Sequence, residues 1–323
     1  MGLFMISLEH VTRKFGPITA VDDLSIAVKK GEVLGFLGPN GAGKTTTMRM
    51  ISGFLMPTAG TVTVCGTNVV EDPVAVKSAI GYMPEHASSY PEMTVLSFLN
   101  FIAEARGLFD SEKEKAVERI IDQISLTGVV YQTIETLSKG YKRRVGLAQA
   151  LIHDPKVLIL DEPTEGLDPN QKKEIRSLIR RIRENKAIII STHVLEEVEA
   201  VCTRAVIIDK GRIVLDGTPK SLLTKGQNKK ALYFRLPEFQ APRGKTIFDE
   251  FPGLEKIETV ETAEKTVLFR LTPTQQSNPV GDLVEILHRQ NIEITDMYVE
   301  KGRLEDVFYA YTSSEHETKV EQA

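Results

Sequence analysis

Residues 38 to 46 read Gly38-Pro39-Asn40-Gly41-Ala42-Gly43-Lys44-Thr45-Thr46 and contain the pattern G-x-x-x-x-G-K-[ST]. Glycines at this spacing let backbone N–H groups turn inward on phosphate oxygens. Lys44 can neutralise the terminal phosphates of a nucleotide, and the Thr45 hydroxyl can ligate Mg²⁺. A glycine-rich turn with a surface lysine would satisfy the same letters. The segment lies after the apolar run Val33-Leu34-Gly35-Phe36-Leu37 and before a helical pattern, which favours the phosphate loop.

A second apolar run, Val157 to Leu160, ends on Asp161 and Glu162. Carboxylates delivered at the C-terminal edge of a buried strand sit where α/β sheets place their ligands. Asp161 is suited to hold Mg²⁺ through its hydration shell, and Glu162 to polarise an attacking water. Taken alone, such a pair is more often a solvated strand end. Beside a phosphate loop it points to nucleotide hydrolysis.

The elements that must position these groups follow from apolar periodicity. Short alternating segments over residues 1 to 36 predict strands, with residues 44 to 53 a helix and Thr61 to Val64 a strand. From Thr94 to Leu126 the pattern is helical, with Ser111 and Glu114 expected as a capping box and Val117, Ile120, Ile121 and Ile124 on one face. A helix is expected from Ser138 to Ile152, buried strands at 157–160 and 187–190, and a hairpin around Asp209-Lys210-Gly211.

The polar stretch after Thr218 predicts a linker at 219–230. Beyond it come strand 231–236, a helix around 246–251, strands near 256–260 and 266–271, helix 279–290, strand 293–300 and a helical pattern through Leu304, Val307, Phe308 and Tyr311. The order β-α-β-β-α-β suggests a ferredoxin-like module. Residues 314–323 are charged and polar, a tail expected to fray.

Between the two chemical segments stands Leu137-Ser138-Lys139-Gly140-Tyr141, and after them Glu162-Pro163-Thr164, Gly166-Leu167-Asp168-Pro169 and Ser191-Thr192-His193. With these motifs in this order, residues 3 to about 218 resemble the ABC ATPase family. The resemblance implies an α/β fold, a P-loop core with a mixed sheet and an antiparallel β subdomain, and a helical subdomain at about 86–150; the periodicity beyond it adds a small α+β C-terminal domain at 231–313. It implies that Ser138 and Gly140 contact the γ-phosphate of ATP bound to an opposite subunit, where a helix N-terminus does favour an anion, with Lys139 between them in the same signature either compensating charge or facing solvent. It further implies that Asp168 lies in the loop joining two sites, that His193 senses the γ-phosphate, and that Phe15 stacks on adenine.

In the same family the segment Gly81-Tyr82-Met83-Pro84-Glu85 matches a loop normally ending in Gln. Glu85 can still ligate Mg²⁺, with an added negative charge near the phosphates. Lys139 and Tyr141 also depart from the usual signature, replacing Gly and Gln. These features, with the C-terminal module, resemble the type-2 exporter group that includes gliding-motility and multidrug ATPases. The apolar stretch Tyr90 to Ala103 lies where the family docks a permease's coupling helix.

Of 323 residues, 40 are Lys or Arg and 44 Asp or Glu, a formal charge of -4, so no global basic field argues for nucleic acid. Two cysteines, Cys65 and Cys202, have no metal-ligand spacing and fit a reducing compartment. The first ten residues read as a strand, and no run approaches the ~20 apolar residues needed to cross a bilayer. The expectation is therefore a cytoplasmic ATPase, peripheral at the inner face of the membrane, working as a homodimer or paralogous heterodimer with separate integral membrane permease subunits. Two rivals are a soluble ABC-type ATPase in translation or DNA repair, and a non-catalytic nucleotide-binding regulator suggested by Glu85, Lys139 and Tyr141.

Overall fold

A computed structural model describes residues 4–85, 90–225, 231–263, 265–274, 279–300 and 304–312. The chain divides into two compact units, one holding residues up to Leu222 and from Phe308 onward, the other Leu223–Val307. The division falls inside the last helix, whereas the sequence grouped 231–313 as one module.

In the first unit, β1 (Phe4–Phe15), β2 (Ile18–Lys29), β4 (Ala59–Val64) and β5 (Thr67–Asn68) form an antiparallel sheet in the order β2-β1-β4-β5. A mixed sheet holds β3 (Val33–Leu37), β6 (Ile80–Met83), β7 (Val157–Asp161), β8 (Ala187–Ser191), β9 (Arg204–Asp209) and β10 (Arg212–Gly217) in the order β10-β9-β3-β8-β7-β6. Its pairings are parallel except β9 with β10. Every residue of β3, β7 and β8 is buried, which is why they read as continuous apolar runs.

Side chains alternate across this sheet. Ile159 and Ile189 join a core with Val11, Phe36 and Met48 beneath the antiparallel sheet. Leu158, Leu160, Ile188 and Ile190 face a second core with Phe98, Ile120, Leu147 and Ile179 from the helices.

The helices of this unit, of which α1 and α2 pack into the first core, are α1 (Lys44–Ile51), α2 (Pro73–Ala79), α3 (Val95–Ala105), α4 (Asp110–Ile124), α5 (Lys139–Leu151), α6 (Pro169–Ile182) and α7 (Leu195–Val201). The long helical pattern after Thr94 is thus two helices, broken at Gly107, whose φ of 80° ends the first. The capping box expected at Ser111 does not form. Phe109 holds the N-cap position, and its carbonyl already accepts from Glu112 and Lys113, so the helix has begun before Ser111. Asp110 and Glu112 in that first turn favour the helix dipole instead.

The expected linker opens as α8 (Pro219–Lys225), started by a proline at N1 and anchored by fully buried Leu222. Residues 226–230, like the tail 314–323, lie outside the described residues.

The second unit contains β11 (Leu232–Pro237), α9 (Ala241–Glu250), β12 (Leu254–Ala263), β13 (Thr266–Pro273), α10 (Val280–Arg289) and β14 (Asp296–Val299), and α11 (Leu304–Thr312) begins in it. The sheet is antiparallel in the order β12-β13-β11-β14, the ferredoxin-like arrangement. Its core is Phe234, Phe248 and Phe269 with Leu283 and Leu287. Helix α9 starts earlier than the expected 246, because Pro242 initiates it at the first turn. Among the described residues no helix is long and apolar enough to cross a membrane.

One half-buried histidine should give the first unit a measurable pH response. The Nε2 of His153 lies 3.1 Å from the Ile80 carbonyl, and its Nδ1 is buried without a hydrogen-bond partner, so the neutral tautomer fits. Burial, with Arg106 nearby, pushes its pKa down to about 4. The unfolded chain, near ~6.5, takes up a proton that the native chain refuses, so stability falls as pH drops from above 6.5 towards 4. Between pH 7 and 5 this residue should cost on the order of 2 kcal/mol. His153→Gln keeps a donor for Ile80 and should flatten that slope in urea unfolding; an unchanged slope would assign the acid sensitivity elsewhere.

Candidate functional site

Four adjacent parallel strands, β3, β8, β7 and β6, end at one edge of the mixed sheet and each delivers part of a single cleft. After β3 comes the glycine-rich loop. A Cβ on Gly38 would collide with the Ile208 carbonyl of β9, and one on Gly43 would lie 2.5 Å from the Ala20 carbonyl of β2. Gly43 also has φ 104°, a backbone that L side chains rarely adopt. The loop is therefore clamped between two strands, and α1 starts with its N-terminal amides beside the cleft.

Lys44 is only 9% exposed, and its ammonium donates to the carbonyls of Gly38 at 2.5 Å and Pro39 at 3.1 Å. Burial lowers its pKa, opposed by the negative charges of Glu162, Asp161 and Glu85. The neighbouring Thr47 hydroxyl donates to Gly43 O at 2.9 Å, fixing the loop to the helix.

After β7 come the carboxylates. Asp161 is 5% exposed and accepts a hydrogen bond from the Ser191 hydroxyl at the end of β8. Glu162 is buried with φ 48°, a strained position for a non-glycine residue, and its N–H donates to Ser191 O at 3.0 Å. Its Oε1 accepts from the His193 backbone N–H at 3.1 Å and lies 2.8 Å from His193 Nδ1. Burial raises both carboxyl pKa values; Ser191 opposes this at Asp161, and His193 at Glu162. A strained, buried carboxylate held by a histidine is chemically able to accept a proton.

The cleft, of about 560 Å³, is lined by Gly38, Pro39, Asn40, Gly41, Gly43, Lys44, Thr45, Thr46, Glu85, Asp161, Glu162 and His193. Its volume suits a nucleotide-sized ligand. The oxygens of Thr45, Glu85 and Asp161 are the donors a hard divalent cation takes when phosphates and water complete its shell.

Ala42 packs inward, 3% exposed. Phe15 is not in the lining; it is 45% exposed, with the Arg13 guanidinium 4.5 Å from its ring centre. Ser138, Lys139, Gly140 and Asp168 also lie outside this cleft and gather on one another's segments. Ser138 caps α5, and its Oγ accepts from Tyr141 at 3.4 Å. Asp168 caps α6, accepting from Asn170 at 2.9 Å and Gln171 at 3.0 Å. A Cβ on Gly140 would strike the Gln171 side chain, and one on Gly166 the Lys139 ammonium.

The structure adds lining residues that the sequence did not single out as site residues: Ala20, Glu165, Ser191 and Phe308. Glu165, one turn of chain after Glu162, and Ser191, beside His193, carried a usable signal in their spacing. Ala20 and Phe308 carried none, since their place depends on distant folding.

The chain is similar to known proteins across this region and beyond it. A family model described as ABC transporter matches residues 21–165. An uncharacterized ABC transporter ATP-binding protein of Bacillus subtilis (strain 168), YhcH, is 34% identical over 319 residues, covering 98% of each chain. The Nod factor export ATP-binding protein I of Ralstonia nicotianae is 36% identical over 221 residues, covering 68% of this chain and 69% of that one. The structure of CbiO1 from Clostridium perfringens, described as part of the ABC transporter complex CbiONQ, matches with a TM-score of 0.63 and 28% identity, over 69% of this chain and 91% of its own.

Proposed function

The chain belongs to the family of ABC transporter ATP-binding proteins, and from that membership we propose how its cleft spends ATP on transport. It binds and hydrolyses ATP to power export through a separate membrane permease. The observation that carries the reading is the convergence of the glycine-rich loop, Asp161, Glu162, Glu85 and His193 on one cleft at the sheet edge.

In this reading the amides of residues 38 to 46 and the Lys44 ammonium grip the triphosphate, with Phe15 brought onto the adenine ring. Thr45 and Glu85, with Asp161 through the hydration shell, would hold Mg²⁺, which when bound would supply positive charge against the phosphate oxygens. Glu162 takes a proton from the attacking water as its oxygen bonds to the γ-phosphorus and the bond to ADP breaks. His193 holds Glu162 in place from 2.8 Å and senses the γ-phosphate.

Ser138, Lys139 and Gly140 present the N-terminus of α5 to ATP on the opposite subunit, and Asp168 lies in the loop between the two sites. Two copies, or this chain and a paralogue, thus close on two nucleotides beneath the permease, at the cytoplasmic face of the membrane. No nucleic acid takes part. The apolar stretch from Tyr90 leaves the rings of Tyr90 and Phe101 exposed, which supports the proposed permease contact.

The test is isolation of the tagged chain from detergent-solubilised membranes, followed by assay of the material for ATP hydrolysis. An integral membrane protein should co-purify and the complex should hydrolyse ATP. Recovery with ribosomes, and with no membrane protein, would sink the transport reading.

A further inference from the structure

The helix that presents Ser138 also buries an arginine. Arg143 is 7% exposed on α5, among Val145, Leu147 and Ala148 on the same helix. A buried guanidinium must find hydrogen-bond acceptors or destabilise the fold. Arg143 finds two, and neither is on its own helix. Its Nη1 donates to the backbone carbonyl of Glu85, and its Nη2 stands 3.4 Å from Glu165 Oε2. Both partners line the nucleotide cleft, one after β6 and the other after the neighbouring β7. The adjacent Arg144 engages different partners, Glu174 and the carbonyl of Ile124 at the end of α4, so the two arginines are not equivalent.

We propose that Arg143 is a positioning residue for ATP hydrolysis, which fastens the Glu85 and Glu165 loops to the helix carrying Ser138. The inference rests on the ATPase reading above. Holding the Glu85 carbonyl fixes the backbone from which that carboxylate reaches the cleft. The same bond makes the Glu85 loop follow any movement of α5, so the half of the site that binds nucleotide and the half offered to the opposite subunit shift as one piece. The guanidinium charge also stands against one of the cleft's acidic groups, the Glu165 carboxylate.

The test compares Arg143→Met, Arg143→Lys and Arg143→Gln in the full chain purified with its permease. Arg143→Met should lower kcat at least about tenfold with KM for ATP within about twofold, and the Arg143→Lys variant should recover part of the loss. Amide hydrogen exchange should quicken at Met83 to Glu85 while α5 stays protected. In a double-mutant cycle, Glu165→Gln should cost less in the Arg143→Met background than in the wild type.

A kcat within twofold of wild type would overturn the proposal. So would parallel losses in kcat, nucleotide binding and melting temperature across all three variants, because that pattern marks a packing role alone. If the wild-type complex hydrolyses ATP and Arg143→Met matches it, only this inference falls. If the wild-type complex does not hydrolyse ATP, the ATPase reading falls and takes the inference with it.

Discussion

Glu162→Gln should slow ATP turnover by ~10²–10⁴, the usual contribution of a positioned base, while leaving ATP bound. The substitution is nearly isosteric. The amide retains an acceptor oxygen for the His193 N–H, now 3.1 Å from Oε1, so the strained turn at the end of β7 has no cause to relax. What disappears is the ability to take a proton from water. Because the proposed phosphate contacts come from the glycine-rich loop and Lys44, the nucleotide dissociation constant should stay within about threefold of wild type. ATP should then hold the variant as a dimer on size exclusion, since closure precedes hydrolysis in the proposed cycle. Steady-state phosphate release at the wild-type rate would remove Glu162 from its role.

Lys44→Met should separate binding from stability. In the described structure the ammonium is satisfied only by the carbonyls of its own loop, and burial works against its charge. Removing it lifts that desolvation cost but takes a favourable positive charge away from Asp161 and Glu162. The two effects oppose, so the melting temperature without nucleotide should change little. Nucleotide binding has no such offset. Loss of a desolvated charge facing a triphosphate typically costs about 2–5 kcal/mol, or roughly 30- to 5,000-fold in affinity. The rise in melting temperature on adding ATP should therefore vanish. A dissociation constant within about threefold of wild type would show that Lys44 does not face the phosphates.

Both predictions start from residues that the sequence marks by itself. The spacing of Gly38, Gly41 and Gly43 ahead of Lys44 encodes a local backbone path, and local paths are written by neighbouring residues. The uninterrupted apolar runs of β3, β7 and β8 encode burial on both faces, which places Asp161, Glu162 and His193 at strand ends. For the same reason the mixed and antiparallel sheets and the ferredoxin-like order of the second unit agree with what periodicity and family resemblance led one to expect.

Where local cues compete, the sequence misleads. Ser111 and Glu114 have capping-box spacing, but Phe109 starts the helix because its carbonyl takes the first two amides. A polar stretch after Thr218 reads as linker, and the two units do part within it, yet it opens as helix α8 with Leu222 buried rather than as irregular chain.

Tertiary structure alone decided which loops meet. The strand order β9-β3-β8-β7-β6 brings Lys44, Glu85, Glu162 and His193 to one edge, although they are spread over much of the chain. No residue near Arg143 in sequence announces that it will donate to Glu85, 58 positions away. Backbone conformation and burial period are properties of a short window of sequence. A hydrogen bond between distant segments exists only once the sheet has fixed their separation, and that is why the clamp on the cleft was invisible until the chain was folded.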